Sequence, residues 1–273
     1  MSQNFEFAIN RISAPRLPFP EFLAMCGRLG VSGIELRNDL KGAEISDGSD
    51  AAHLRAAASA AGINIRSINA LYPFDVCDAD LQQRALQLAA YAQKCGAAAL
   101  VMCPLNSRDD QRSAATRRTD LVHALKTLRP ILEDHGLIGL VEPLGFEESA
   151  LRRKSDAVAA IFEVSGERTY RLVHDTFHHF LAGEEEFFPE LTGLVHISGV
   201  EAPELAPAQM RDAHRVFVGP ADRLGNIAQL RTLLARGYNG TVSFEPFAEQ
   251  IMQMDTTESL LRESMAYIRA NLA

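Results

Sequence analysis

Five times along the chain an amphipathic stretch ends in glycine and a short apolar run follows at once. The segments are LAMCGRLG-VSGIELR, AAASAAG-INIRSINAL, AYAQKCG-AAALVMCPL, ILEDHG-LIGLVEPL and TLLARG-YNGTVSFEP, with Gly30, Gly62, Gly96, Gly136 and Gly237 at the junctions. A glycine after a helix supplies the left-handed residue that closes its last carbonyls. The run that follows is apolar on both faces. A parallel strand needs this when helices cover one side and packed side chains the other.

Extending the pattern to the whole chain predicts eight strands, near 5–10, 32–37, 64–69, 98–103, 138–143, 170–175, 193–198 and 240–245. The helices between them are expected near 18–29, 50–61, 79–95, 112–135, 153–165, 184–190, 224–236 and 256–271. Strand–helix alternation repeated eight times points to a closed (β/α)8 barrel, the TIM barrel. No glycine-rich phosphate loop follows the first strand, which weighs against an open doubly wound sheet. No linker or shift in composition interrupts the pattern, so residues 1–273 are read as one domain. Two connections are long, 38–49 after the second strand and 199–223 after the seventh. Loops after strands form the catalytic face of a barrel, which makes both candidate lids or substrate walls.

Composition narrows the class further. The chain has 273 residues, 47% hydrophobic and 23% charged, with a formal net charge of -8. That length suits one α/β barrel. The acidic balance lowers the expectation of a nucleic-acid partner. The apolar runs are too short to span a bilayer, so no membrane partner is expected. The four cysteines form no C-x-x-C pair, and the N-terminus lacks the layout of a signal peptide. The expectation is a cytoplasmic protein with reduced thiols.

Polar residues stand at strand ends where the interior pattern calls for apolar ones: Asn10, Glu35 with Arg37, Asn69, Glu142, Asp175, His196 and Glu245. Four of them close strands five to eight, which are consecutive around a barrel, so Glu142, Asp175, His196 and Glu245 must converge over one arc of its mouth. Three carboxylates packed together repel one another, and a cation resolves the conflict. Three carboxylates with one imidazole suit one divalent ion such as Mn²⁺, Mg²⁺, Co²⁺ or Zn²⁺. The alternative is a buried ion-pair cluster with Arg37 and Arg215. Glu35 is read as a structural partner of Arg37. Strand alternation turns His174 away from Asp175 toward the helical layer.

The strings VEPLGF, VHDTFHHF, VHISGV and VSFEPF resemble the four metal-ligand segments of the xylose isomerase-like barrels. With IELR at 34–37 and INAL at 68–71, their order is most similar to the 2-keto-myo-inositol isomerase (inosose isomerase) branch, over essentially the whole chain. The resemblance implies Glu142, Asp175, His196 and Glu245 as metal ligands. It also implies His178 as a contact to substrate oxygens and Arg215 as the holder of one of them. Asn10, Asn69 and His179 are weaker candidates for the substrate. The family's glycine turn after the arginine is altered to RVFVGPADRLGNI: Gly219 is kept, the second glycine is replaced and Pro220 stiffens the turn. The shape of that substrate wall is therefore not inherited.

The activity so implied is isomerisation of a small neutral polyol ketone in inositol or other carbohydrate metabolism. A metal stabilises the enediolate charge, and Glu142 and Glu245 carry the proton. Ketose 3-epimerase, hydroxypyruvate isomerase and inosose dehydratase share the barrel and the metal and stay open. An abasic-site endonuclease, which uses more histidines on the early strands, and a non-catalytic binding barrel are the readings from other classes. Related barrels pair through their outer helices, so a homodimer or tetramer is expected.

Overall fold

A computed structural model describes residues 5–253 and 256–272. Its strands are β1 Glu6–Asn10, β2 Gly33–Arg37, β3 Asn64–Leu71, β4 Ala99–Met102, β5 Ile138–Val141, β6 Tyr170–Asp175, β7 Thr192–Ile197 and β8 Thr241–Phe244. All pair in parallel in chain order, and β1 closes on β8 with Glu6 opposite Thr241 and Ile9 opposite Phe244. The chain is a single-domain (β/α)8 barrel, as its periodicity predicts.

The helices are α1 Phe19–Leu29, α2 Ala51–Ala60, α3 Ala79–Cys95, α4 Ala114–Asp134, α5 Lys154–Glu163, α6 Thr176–Ala182, α7 Asn226–Ala235, α8 Glu249–Gln253 and α9 Thr257–Leu272. Side-chain caps start α2, α3 and α4, as one does α6 below: Asp50 accepts from the amides of Ala52 and His53, Asp78 from Leu81, and Ser113 from Thr116. Gly30 and Gly96 end α1 and α3 with φ of 68° and 79°, the left-handed closure the pattern anticipates.

One helix lies elsewhere than expected. Residues 184–190 form no helix; α6 occupies Thr176–Ala182 instead. The cause is Asp175. It ends β6 and at once caps α6, its Oδ1 accepting from the amides of Phe177 and His178, so no loop separates strand from helix. The 184–190 segment runs irregularly, and Phe187 and Phe188 pack against the core.

Strand alternation sorts the core into two compartments. Outward residues such as Ile34, Ile68, Leu100, Val141, Leu172 and Val195 join the helices in the main core. Inward residues Ala99, Val101, Leu140, Val173 and Leu194 form a separate cluster. Two positions further along β5, β6 and β7, the same inward side carries Glu142, Asp175 and His196. The polar site is therefore the top layer of the barrel filling.

The two long connections are packed segments. Arg11, 1% exposed, donates through Nε to Glu44 Oε2 at 2.8 Å and stacks over Phe22, tying the 38–49 loop to the turn after β1. The 199–223 segment pairs Gly199 with Val216 and buries Val200 and Met210, beside Leu224, against Phe146 and Phe177.

Candidate metal centre

Glu142, Asp175, His196 and Glu245 do converge. One ligand-type atom from each lies within 4.8 Å of the others, and all four residues are buried. His196 stands between two glutamates, its Nδ1 2.8 Å from Glu142 Oε1 and 3.2 Å from Glu245 Oε2. Its Nε2 meets Glu35 Oε2 at 3.1 Å. Cys103, at the end of β4, places Sγ 3.3 Å from Glu142 Oε2.

Glu35 is the residue that sequence reasoning misplaced. It does not pair with Arg37. It is fully buried inside the barrel, where it accepts from Ser67 Oγ at 2.6 Å, Asn69 Nδ2 at 2.9 Å and Ser243 Oγ at 2.5 Å. Gly33, Glu35 and Arg37 alternate inward on β2, and Glu35 lies one layer below the mouth, under His196. A carboxylate on one imidazole nitrogen fixes the tautomer and frees the other nitrogen for a metal. The inward alternation of IELR was the available signal; the identity of the partner was not.

The electrostatics show how much charge this layer holds. Burial alone would push the His196 imidazole down, but Glu245, Glu35 and Glu142 outweigh it and hold its pKa well above the ordinary value. Burial would likewise raise the Glu245 carboxyl, and His196, Arg215 and Arg37 overcome that and hold it far below the usual range. The carboxylates of Glu35, Glu142, Asp175 and Glu245, with Asp39 on Arg37, outnumber the cationic groups Arg37, Arg215 and His196 even when the imidazole is protonated. Negative charge is left over, which a divalent cation can balance. Three carboxylate oxygens and one imidazole nitrogen are a donor set for Mn²⁺, Mg²⁺, Co²⁺ or Zn²⁺. The residues present fit such an ion.

Both arginines reach the cluster. Arg215 Nη2 donates to Asp175 Oδ2 at 2.6 Å and Glu245 Oε2 at 3.1 Å, and its Nε to Ser198 Oγ at 2.9 Å. The loop after β8 holds it in turn, since the amides of Phe247 and Ala248 donate to the Arg215 carbonyl. Arg37 Nη1 donates to Glu245 Oε1 at 2.9 Å, while Nε and Nη2 grip Asp39 at 2.8 and 2.6 Å. The ion pairs of the alternative reading therefore exist, but they leave the charge above uncancelled.

The remaining candidates fall in different places. The His178 ring is buried edge-on against Phe146 and Phe177, and its Nδ1 has no hydrogen-bond partner among the described residues. Gly145 allows this first turn of α6 to sit close to the loop after β5: a Cβ there would lie 2.1 Å from the His178 carbonyl oxygen. Asn10 Nδ2 donates to Glu245 Oε1 at 3.1 Å and Asn69 to Glu35, so both amides face carboxylates of the site.

His179 lines a small pocket beside the site together with Asp175 and His178. One residue beyond His178 on α6, its ring packs on His174 and Phe187, with centroids 4.7 and 4.6 Å away. Burial, then the neighbouring Lys154, pushes it down to about 3. His174 lies in the helical layer as alternation requires, bonded to Lys154 Nζ and Gln229 Oε1, each at 2.9 Å.

Comparison with known proteins supplies the family. Residues 23–271 match the family model described as xylose isomerase-like TIM barrel. A xylose isomerase domain-containing protein from Salmonella typhimurium LT2 superposes with a TM-score of 0.88 at 33% identity, over 98% of this chain and 97% of that one. The IolI protein, solved with a bound zinc atom, gives 0.83 at 19% identity, covering 98% of each chain. D-psicose 3-epimerase from Clostridium cellulolyticum H10, solved with D-tagatose, gives 0.73 at 16% identity, over 98% of this chain and 99% of that one. No curated protein matches the chain in sequence.

Proposed function

Because the chain belongs to the xylose isomerase-like TIM barrel family, we propose that it is a divalent-metal-dependent isomerase of a small neutral polyol ketone, with 2-keto-myo-inositol as the leading candidate. The observation that carries this reading is the buried set Glu142, Asp175, His196 and Glu245 at the barrel mouth, with the far nitrogen of His196 fixed by Glu35. The IolI structure with its zinc atom supports the metal, and the order of the four sequence segments supports the cyclitol branch.

When bound, the cation supplies Lewis-acid stabilisation of the negative charge that develops on the substrate oxygens. The chain's own groups do the rest. Glu142 and Glu245 flank His196 and are assigned to take the proton from the carbon beside the carbonyl and return it to its neighbour. His178 donates to the carbonyl oxygen, and Arg215, oriented by Ser198 and Asp212, holds a hydroxyl. Asn10, Asn69 and Glu35 keep the carboxylate and imidazole groups in register from below. The same two glutamates would serve a ketose 3-epimerase, and that second reading is favoured by the shared fold of the D-psicose 3-epimerase.

The test is incubation of the Mn²⁺-loaded protein with keto-cyclitols and ketoses in heavy water, followed by mass spectrometry. Deuterium gained at carbon without loss of water, strongest with an inosose, is the expected result. Exchange with epimerised ketose as product moves the chain to the 3-epimerases, and a product lighter by water to the dehydratases. No exchange with any compound removes the isomerase reading.

A further inference from the structure

Arg37 has no role in the proton transfer described above, yet it stands at the site. Its side chain is 8% exposed, one edge donates to Glu245, and the guanidinium lies over the Phe247 ring at 5.0 Å. Its other edge forms a two-pronged contact with Asp39, whose carboxylate is 56% exposed. A planar guanidinium held this way matches a carboxylate in geometry and cannot discharge itself by losing a proton. Left bare at the mouth, it would select a substrate with an anionic end. Asp39 occupies that edge from the 38–49 loop and cancels the charge.

The consequence concerns what reaches past the metal ligands. Each Asp39 oxygen accepts one hydrogen bond from Arg37 and retains capacity for another. Its exposed side therefore offers two acceptors, fixed side by side, to hydroxyl donors. A phosphate or carboxylate arriving there would meet like charge instead.

We propose that Asp39, held in place by Arg37, is a specificity-determining residue that accepts hydrogen bonds from a neutral vicinal diol at the end of the substrate remote from the reacting carbons and rejects anionic ends. This rests on the proposed function only in placing the substrate above Glu245, so its test reads binding and not turnover. Removing the carboxylate should then convert the mouth into an anion site built on Arg37.

D-fructose and D-fructuronate differ at one terminal carbon, a hydroxymethyl group against a carboxylate. Calorimetric titration of the Mn²⁺-loaded protein should show fructose bound at least tenfold tighter. In Asp39→Ala, fructuronate should gain tenfold or more while fructose weakens, and Asp39→Asn should show the gain without the loss of volume. Adding Arg37→Met to Asp39→Ala should abolish the gain. Because Asp39 is exposed, an unchanged melting curve in the single variants checks that folding is intact. Fructuronate binding that is unchanged in both variants, or undetected in all three proteins, overturns the proposal. So does a parent protein that binds fructuronate as tightly as fructose, or a gain that survives Arg37→Met. Reversed preference together with no deuterium exchange would leave the Asp39 assignment standing and remove the isomerase reading instead.

Discussion

At the scale of single residues, the site depends on a carboxylate outside the four-residue ligand set. Glu35 is buried, accepts from Ser67, Asn69 and Ser243, and meets His196 Nε2. Outer partners of a metal-binding histidine typically contribute about 10–100-fold to metal affinity. Glu35→Gln should therefore weaken Mn²⁺ or Zn²⁺ binding by about that factor, measured by competition with a chromogenic chelator. Unchanged affinity would show that His196 needs no orienting partner. Glu245→Gln keeps the shape of the side chain but removes its charge and its basicity. Turnover in that variant should fall below about a tenth of the parent's, since general-base groups contribute about 10²–10⁴-fold, with the fold retained by circular dichroism. A variant above that level would end the two-glutamate assignment.

At the scale of elements, the loops after β1 and β2 are held by one buried ion pair, Arg11 with Glu44, at 2.8 Å and with side-chain exposures of 2% and 7%. Breaking such a pair strands a charge away from water, at a cost of about 3–5 kcal/mol. Arg11 also donates to the carbonyls of Ala14 and Leu17, which share its charge and place the expected loss for Glu44→Gln at about 3 kcal/mol. Chemical denaturation should show that loss. Arg28→Ala, which breaks an exposed pair with Glu258, should leave the denaturation midpoint unchanged. Equal effects would mean that the 38–49 loop is not anchored by Glu44.

At the scale of the whole molecule, metal and protons act on the same charge balance. An ion that binds only the folded state stabilises it by about 2.7 kcal/mol at a hundredfold excess over Kd. For a chain of this length that corresponds to a rise in Tm of about 5 °C. Mn²⁺ or Zn²⁺ should produce it by calorimetry and a chelator should reverse it; an unchanged Tm would count against the centre. His174 and His179 are both depressed, chiefly by burial and next by Lys154. A depressed histidine contributes stability above its unfolded pKa of about 6.5 and loses it as the pH falls below that value. Between pH 7 and 5 the loss for His179, pushed down to about 3, is about 2 kcal/mol, and His174 acts in the same direction. The raised pKa of His196 acts in the opposite sense, but its stabilisation is full below about 6.5 and declines only above it, so it offsets little. In metal-free protein, denaturant midpoints at the two pH values should differ accordingly, and identical midpoints would contradict the burial of these two rings.

The fold was legible in the sequence because its signals are local. Glycine closure after each helix and apolar runs of strand length recur within single units, and eight such units leave little besides a barrel. The convergence of Glu142, Asp175, His196 and Glu245 was legible too, since strand order and alternation fix which side chains share the mouth. Local pattern failed at α6, where Asp175 serves both as strand end and as helix cap, so the turn composition that marks a loop is missing. It failed again at Glu35. Alternation sets the side of a strand a residue faces, but the partner met across the barrel depends on stagger between strands and on side-chain reach. Glu35 finds His196, 161 positions away, and Arg37 finds Glu245, 208 positions away. Arg215 joins them because the 199–223 segment folds back on buried Val200 and Met210, a packing choice that no period in the sequence encodes. The sequence by itself determined the barrel and the four residues that crown it. Tertiary structure alone decided which charges stand against which, because those contacts are long-range and their energies depend on burial.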